Sequence, residues 1–325
     1  MKRGRCVHKY QKYLPIPPRK QWVSNYGYCG ETALICAGLY YGQYVSQFKA
    51  RDLASGPVKQ SKEKSQLLLG PGTNCQRASI GMGLSFLDWE DEKHGKTAED
   101  FLVWIKGQIL NDCPLAIGVY MNQSIFGDGC DDEYDHIVPV IGIESNHPLS
   151  DMSYHPDDEI VFSDNGLYTP DGEPVPFIFK YDFRSFQRSR TDANRKSASI
   201  YSLPKDVPNV GIALTRNNSE SSTRPVCIEA YPNEERPEIE DKTDKKPSRA
   251  PLELRISLSC LVPGVVYNLY RYSKLSKVPK KAFNKHASKA SQVWKVVSMS
   301  MTMSLTDTIW SDEVAVYRAV EASAP

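Results

Sequence analysis

The sequence predicts an α+β protein in which a central helix packs on an antiparallel sheet and a small all-β sandwich follows. Three observations carry this reading. A long apolar stretch with helical spacing opens at Cys29, strand segments then follow a second helix, and strict alternation resumes after a charged, proline-rich interval. Helices followed by a run of strands argue against a doubly wound parallel sheet. A length of 325 residues favours two domains. We place them at 1–232 and 252–325, with 233–251 as a charged linker or loop.

The elements follow in order. Leu34, Ala37, Tyr41, Val45 and Phe48 recur at three- and four-residue steps, the stripe of one long helix. Gly38 and Gly42 lie four apart on a neighbouring face, where each weakens a helix by about 1 kcal/mol relative to alanine, so another backbone is expected close by. A second helix is expected over 98–110, with Thr97 and Asp100 as a capping box and Phe101, Trp104 and Ile105 inward. Leu115, Ile117, Val119 and Met121 alternate with small or polar neighbours as a strand does. Further strands are expected over 136–143, 160–163, 177–181, 199–203 and 210–214.

The interval 233–247 is rich in charge and proline and nearly devoid of apolar residues. Leu252, Leu254, Ile256 and Leu258 then alternate with polar residues, Pro263-Gly264 turns the chain into 265–270, and Val314 to Val320 makes a last strand. Met299, Met301, Met303 and Leu305 alternate with Ser and Thr, which marks the inward face of a strand and not a soft-metal site. The run Leu261-x-Pro-Gly-x-x-Tyr267 is locally similar to the turn in fibronectin-like sandwiches where a tyrosine ties down a strand corner.

Composition narrows the function. Hydrophobic residues make up 40% of the chain and charged residues 24%, an ordinary soluble balance. A net charge of +1 with scattered Lys and Arg gives no electrostatic case for nucleic acid. No segment reads as transmembrane, and the basic amino terminus is not followed by the apolar core of a secretory signal, so no membrane partner and a cytoplasmic location are expected. Eight cysteines without a CxxC pair argue against a disulfide framework or a zinc site, and no cofactor is expected. Cys36, Cys227 and Cys260 lie in apolar runs and read as core thiols, whereas Cys130 lies in a polar loop.

Cys29 differs from these. It follows Asn25-Tyr26-Gly27-Tyr28 and begins the apolar helix, where unpaired N–H groups and the positive dipole end favour a thiolate and a developing oxyanion. A thiol also needs an imidazole. His136 heads an apolar strand with an acidic loop before it, while the other histidines fall in polar segments, a long loop or the carboxy-terminal domain. Asp164 or Asn165, closing the strand 160–163, would orient that imidazole. Strand geometry lets only one of the two face it, and a carboxylate fixes the tautomer more strongly, which favours Asp164.

Tyr28-Cys29-Gly30-Glu31 before an apolar helix, His136-Ile137-Val138-Pro139-Val140-Ile141-Gly142, and Val161-Phe162-Ser163-Asp164 together resemble the papain-like cysteine peptidases, the bacteriocin-leader-processing branch most nearly. The resemblance covers residues 20–215 and implies a papain-like domain with Cys29 as nucleophile, His136 as base and then acid, and Asp164 or Asn165 as orienter. Such enzymes place an oxyanion-hole glutamine about six residues before the cysteine, where this chain has Val23. Gln21 and Asn25 flank it, and Gln21 is the narrow choice. Glu31 has no fixed role in that pattern beyond favouring the helix N-terminus. The implied function is hydrolysis of a peptide or amide substrate through a thioester. The alternatives are acyl transfer, as in transglutaminase-like or arylamine acetyltransferase-like folds, and a non-catalytic binding module with Tyr26, Tyr28, Tyr40 and Tyr41 lining a cleft. Oligomeric state is left open.

Overall fold

A computed structural model describes residues 8–22, 24–90, 93, 95–127, 133–166, 177–216, 223–230, 242–246 and 248–322. Cys6, Val23 and Cys130 lie outside them. Along the chain run β1 (Tyr10–Tyr13), α1 (Cys29–Tyr40), β2 (Gln43–Val45), α2 (Gln47–Ser55), α3 (Asn74–Gly81), β3 (Leu84–Asp88), α4 (Ala98–Leu110), β4 (Leu115–Met121), α5 (Gln123–Phe126), β5 (His136–Ser145) and β6 (Glu159–Ser163). There follow β7 (Ile178–Asp182), α6 (Phe183–Phe186), β8 (Gln187–Arg188), α7 (Arg190–Ala193), β9 (Tyr201–Pro204), β10 (Gly211–Arg216), β11 (Val226–Ala230), β12 (Pro251–Leu258), β13 (Val266–Tyr272), β14 (Gln292–Val297), β15 (Met303–Trp310) and β16 (Val314–Glu321). The protein is mixed α+β with antiparallel sheets, apart from a short parallel pairing of β8 with β9.

These elements form two compact units whose residues interleave. The first takes the described residues of Met1–Leu14, Leu69–Pro71 and Leu87–Ala213, and the second those of Pro15–Leu68, Gly72–Phe86 and Leu214–Pro325. The sequential division at 232 and 252 is therefore not the one the fold makes. Strands β11 and β12, on either side of the charged interval, pair in one antiparallel sheet with Ile228 opposite Ile256, and both belong to the second unit.

In the first unit β5 is the central strand. All ten of its residues are buried, and β4 and β6 flank it with Val119 opposite His136 and Val140 opposite Phe162. The β5–β6 register shifts between Val140 and Gly142, and β1 pairs with the far end of β5 beyond β4, where Gly142 lies opposite Tyr13. Helix α4 occupies the expected span, with the Thr97–Asp100 capping box and buried Phe101, Trp104 and Ile105. Lys106 on its inner face donates to Asp158 at 2.7 Å, both fully buried, and Ser145 donates to the other oxygen of that carboxylate at 2.5 Å. A buried charge pair satisfied in this way is strongly destabilised by loss of one partner.

In the second unit α1 is buried on every side from Gly30 to Leu39, as a central helix should be. It is shorter than its apolar stripe predicts. Gly42 adopts φ +70°, Tyr41 and Gly42 return their N–H groups to Ala37, Gly38 and Leu39, and Val45 and Phe48 fall on β2 and α2 instead. The expected close backbone is present. A Cβ on Gly42 would lie 2.9 Å from Val226 Cβ and 3.1 Å from the Tyr317 carbonyl oxygen.

Strand β2 also ties the amino-terminal segment to the carboxy-terminal strands, for Val45 pairs with Val314 in the sheet β14-β13-β16-β2. The companion sheet is β11-β12-β15, whose buried Leu252, Leu254, Ile256 and Leu258 confirm the alternation. On the same face Asp307 accepts from Arg271 at 2.8 Å and Tyr317 at 2.7 Å, so β15 reaches β13 and β16 across the layer. The Tyr267 hydroxyl accepts the Val262 N–H at 2.9 Å, the strand-corner tie expected of the Pro-Gly turn.

Two local expectations need correction. Met299 and Met301 are 87% and 67% exposed, because the turn carrying them precedes β15, which begins only at Met303. Cys260 is exposed and has φ +55°, a turn residue after β12, and Cys227 is half-buried; only Cys36 of the three is a core thiol.

Candidate active-site residues

Cys29 is the first residue of α1 and is half-buried. The residue before it, Tyr28, has φ −128° and makes no side-chain cap, so the first-turn N–H groups receive no capping acceptor from it. Immediately upstream Asn25, Tyr26 and Gly27 have φ of 54°, 69° and 82°. Three successive left-handed residues, two of them not glycine, persist only where their surroundings fix them.

Arg51 on α2 supplies that constraint. Its guanidinium is fully buried, donates to Asn25 O at 2.7 Å and to Gly27 O, and lies 3.7 Å from the Tyr28 ring centroid. Its Nε donates to Glu31 at 2.7 Å, and the same carboxylate oxygen accepts the Leu67 N–H at 3.2 Å. Glu31 is thus the counter-ion of a buried cation and not merely a helix-start residue. Burial opposes the charge on Arg51, but the Glu31 carboxylate outweighs it and holds the guanidinium above its ordinary pKa. The negative charge in the first helical turn is neutralised by this cation.

The two amides flanking position 23 have different employment. Gln21 is buried and its Oε1 accepts the Tyr28 N–H at 3.3 Å, so its amide lies along the backbone leading into Cys29. Asn25 donates from Nδ2 to the Tyr28 hydroxyl at 3.2 Å and to Thr243 O at 2.8 Å, and its amide hydrogens hold the loop. Tyr28 is buried with its hydroxyl on Gln60 at 2.8 Å, Tyr41 donates to Leu214 O at 3.0 Å, and only Tyr26 of the four tyrosines is exposed. An aromatic cleft built from all four is not formed, because packing and hydrogen bonding use Tyr28 and Tyr41.

His136 opens β5 and is 3% exposed. Its Nε2 lies 3.1 Å from Asp164 Oδ1. The carboxylate is fully buried and is held further: the Tyr201 hydroxyl donates to Oδ1 at 2.7 Å and the Gly166 N–H to Oδ2 at 2.9 Å. The Tyr201 ring also stacks on the imidazole, with centroids 5.7 Å apart and planes 19° from parallel. Asn165 points elsewhere and donates to Ile137 O at 2.7 Å, which pins the turn to the strand beside His136. Just upstream, Asp135 is clamped by both terminal nitrogens of Arg190 at 2.6 and 2.9 Å and accepts the Met121 N–H at 2.7 Å. The residue preceding the histidine is therefore fixed by a bidentate ion pair.

Arg51 and Tyr201 are the residues that sequence reasoning missed. Arg51 falls with Gln47, Ala50 and Ala54 on the buried side of α2, and a cation among small residues on the inward face was the available signal. Tyr201 carried none, since a tyrosine in an apolar strand reads as core.

Of the other thiols, burial pushes Cys36 up to about 12, and burial with the Glu229 carboxylate does the same to Cys227. Neither forms a thiolate at neutral pH. Comparison with protein families, with curated proteins and with solved structures finds no match to the chain.

Proposed function

We propose that this protein is a papain-like, cysteine-dependent hydrolase that cleaves a peptide or amide bond through a thioester. The observation that carries the reading is the His136–Asp164–Tyr201 unit: a buried imidazole held by a buried carboxylate whose own lone pairs are taken by a tyrosine and a backbone N–H. A ring oriented through Nε2 by a buried, hydrogen-bonded carboxylate suits a base whose exchanging nitrogen is Nδ1. The half-buried thiol at the start of α1 is the matching nucleophile.

In this reading Nδ1 takes the Cys29 proton, and the thiolate adds to the acyl carbon. Collapse of the tetrahedral adduct expels the amine, which receives the proton back from Nδ1. Water, deprotonated by the same nitrogen, then cleaves the thioester and restores the thiol. The first N–H groups of α1 and the Gln21 amide are the donors for the oxyanion. Asp164 stabilises the imidazolium, and Asn165 and Tyr201 act as positioning residues.

The test is limiting iodoacetamide near neutral pH with peptide mapping, in the parent chain and in His136→Ala. Cys29 is expected to be modified first and to slow when His136 is removed, with thermal melting unchanged. Preferential modification of Cys260 or Cys113, or a Cys29 rate indifferent to His136 across the pH range, would overturn the assignment. Amine trapping of the acyl product distinguishes acyl transfer from hydrolysis.

A further inference from the structure

The cations of this chain are not evenly spread. Between Glu253 and Asp307 there is no carboxylate residue at all, yet this stretch holds Arg255, Arg271 and seven lysines. Arg255 and Arg271 are paired with Glu229 and Asp307. The lysines are not: among the described residues none of Lys274, Lys277, Lys280, Lys281, Lys285 and Lys289, all exposed in the connection from β13 to β14, has an ion-pair partner, nor has Lys295 on β14.

The connection is folded. Phe283 is 2% exposed and packs with Tyr270, Tyr272, Val316 and Val320, while Asn284 accepts from the Tyr270 hydroxyl at 2.8 Å and donates to Glu321 O at 2.9 Å. The lysines therefore stand on a fixed base. Beside them β14 is the edge strand of its sheet, and Val293, Lys295 and Val297 share one face, opposite Tyr270, Asn268 and Val266. Val293 and Val297 are 46% and 54% exposed, and the strand runs directly into Met299 and Met301.

We propose that this lobe, residues 273–301, docks the protein peripherally on an anionic lipid surface. A lysine cluster without carboxylates complements a diffuse negative surface, and the protruding Val297, Met299 and Met301 supply apolar groups that enter the headgroup region. The chemistry fits a nucleic acid less well. Tyr270, Tyr272 and Phe283 are buried, Trp294 packs beside Tyr317 and Arg271 is engaged, so the lobe offers no row of open aromatic platforms for bases and no guanidinium fork for phosphates. Peripheral attachment needs no spanning element, and no helix among the described residues is long and apolar enough to cross a membrane.

The experiment is co-sedimentation of the full chain with vesicles of phosphatidylcholine alone or mixed with phosphatidylserine, beside a gel shift with single-stranded RNA. Retention on the mixed vesicles only, weakened by salt, is expected. Each lysine near an anionic surface contributes roughly fivefold, so Lys280→Glu/Lys281→Glu/Lys285→Glu should reduce partitioning at least tenfold, and Met299→Ser/Met301→Ser should reduce it several-fold. All five side chains are exposed, and melting temperatures should hold; if the triple variant fails to fold, Lys277→Glu/Lys289→Glu replaces it. Equal retention on neutral vesicles, indifference to charge reversal or to the methionine changes, or RNA binding without vesicle retention would overturn the proposal.

Discussion

The segments around Cys29 and His136 are held by opposite means. Around Cys29 the backbone takes a left-handed path through Asn25, Tyr26 and Gly27, and a buried ion pair, Arg51 with Glu31, grips its carbonyls. Around His136 the backbone is regular strand, and precision comes from hydrogen bonds that converge on one carboxylate. A loop held by one ion pair is all or nothing, because a buried ion left alone is costly, whereas a carboxylate that keeps other hydrogen-bond donors when one is lost loosens its hold by degrees. The Cys29 segment should therefore fail through stability and, for the proposed reaction, the His136 segment through activity.

The largest expected effect breaks the first half of this contrast. Arg51→Met leaves Glu31 buried without its counter-ion and should destabilise the protein by about 3–5 kcal/mol in urea unfolding, with much of that recovered on adding Glu31→Gln. A double variant as unstable as the single one would show that the guanidinium matters through the Asn25 and Gly27 carbonyls alone. Next, Gln21→Ala should lower kcat by about 10²–10³ at an unchanged melting temperature, the signature of a lost oxyanion donor, while Asn25→Ala should mainly lower the melting temperature. The reverse pattern would exchange the two amides.

The His136 segment is tested by Asp164→Ala, which should reduce kcat/KM of the proposed reaction by about tenfold to a thousandfold, or 1.4 to 4 kcal/mol, with Asn165→Ala affecting mainly thermal stability. The smallest effect is expected of Tyr201→Phe. It keeps the ring on His136 and removes one donor to a charged acceptor, about 1.5–3 kcal/mol, which should appear as a displaced pH profile of kcat/KM and not as loss of folding. A profile identical to the parent's would make the hydroxyl structural only.

Much of the frame was legible because it rests on local rules. The capping box at Thr97, the alternation from Leu252 to Leu258 and the Tyr267 corner are each written within a few residues, and each is found. The proximity of Asp164 to His136 was foreseeable from chain order and charge. What was not legible depends on partners far apart in the chain. The helix from Cys29 stops at a glycine whose reason is Val226 and Tyr317; Arg51 matters because of Glu31; Tyr201 matters because of Asp164. The lysines looked scattered when counted over the whole chain, although Lys274 to Lys295 stand close together in the sequence; what the fold adds is the buried Phe283 base that fixes them.

The pairing of β2 with β16 has a consequence for how the protein is made. Val45 cannot meet Val314 until the chain as far as Val314 has left the ribosome, so the segment that carries the Cys29 thiol waits for β16 while the first unit, which ends at Ala213, is already synthesised. Translation arrest before β16 should therefore leave β2 without its partner strand and open to chaperones.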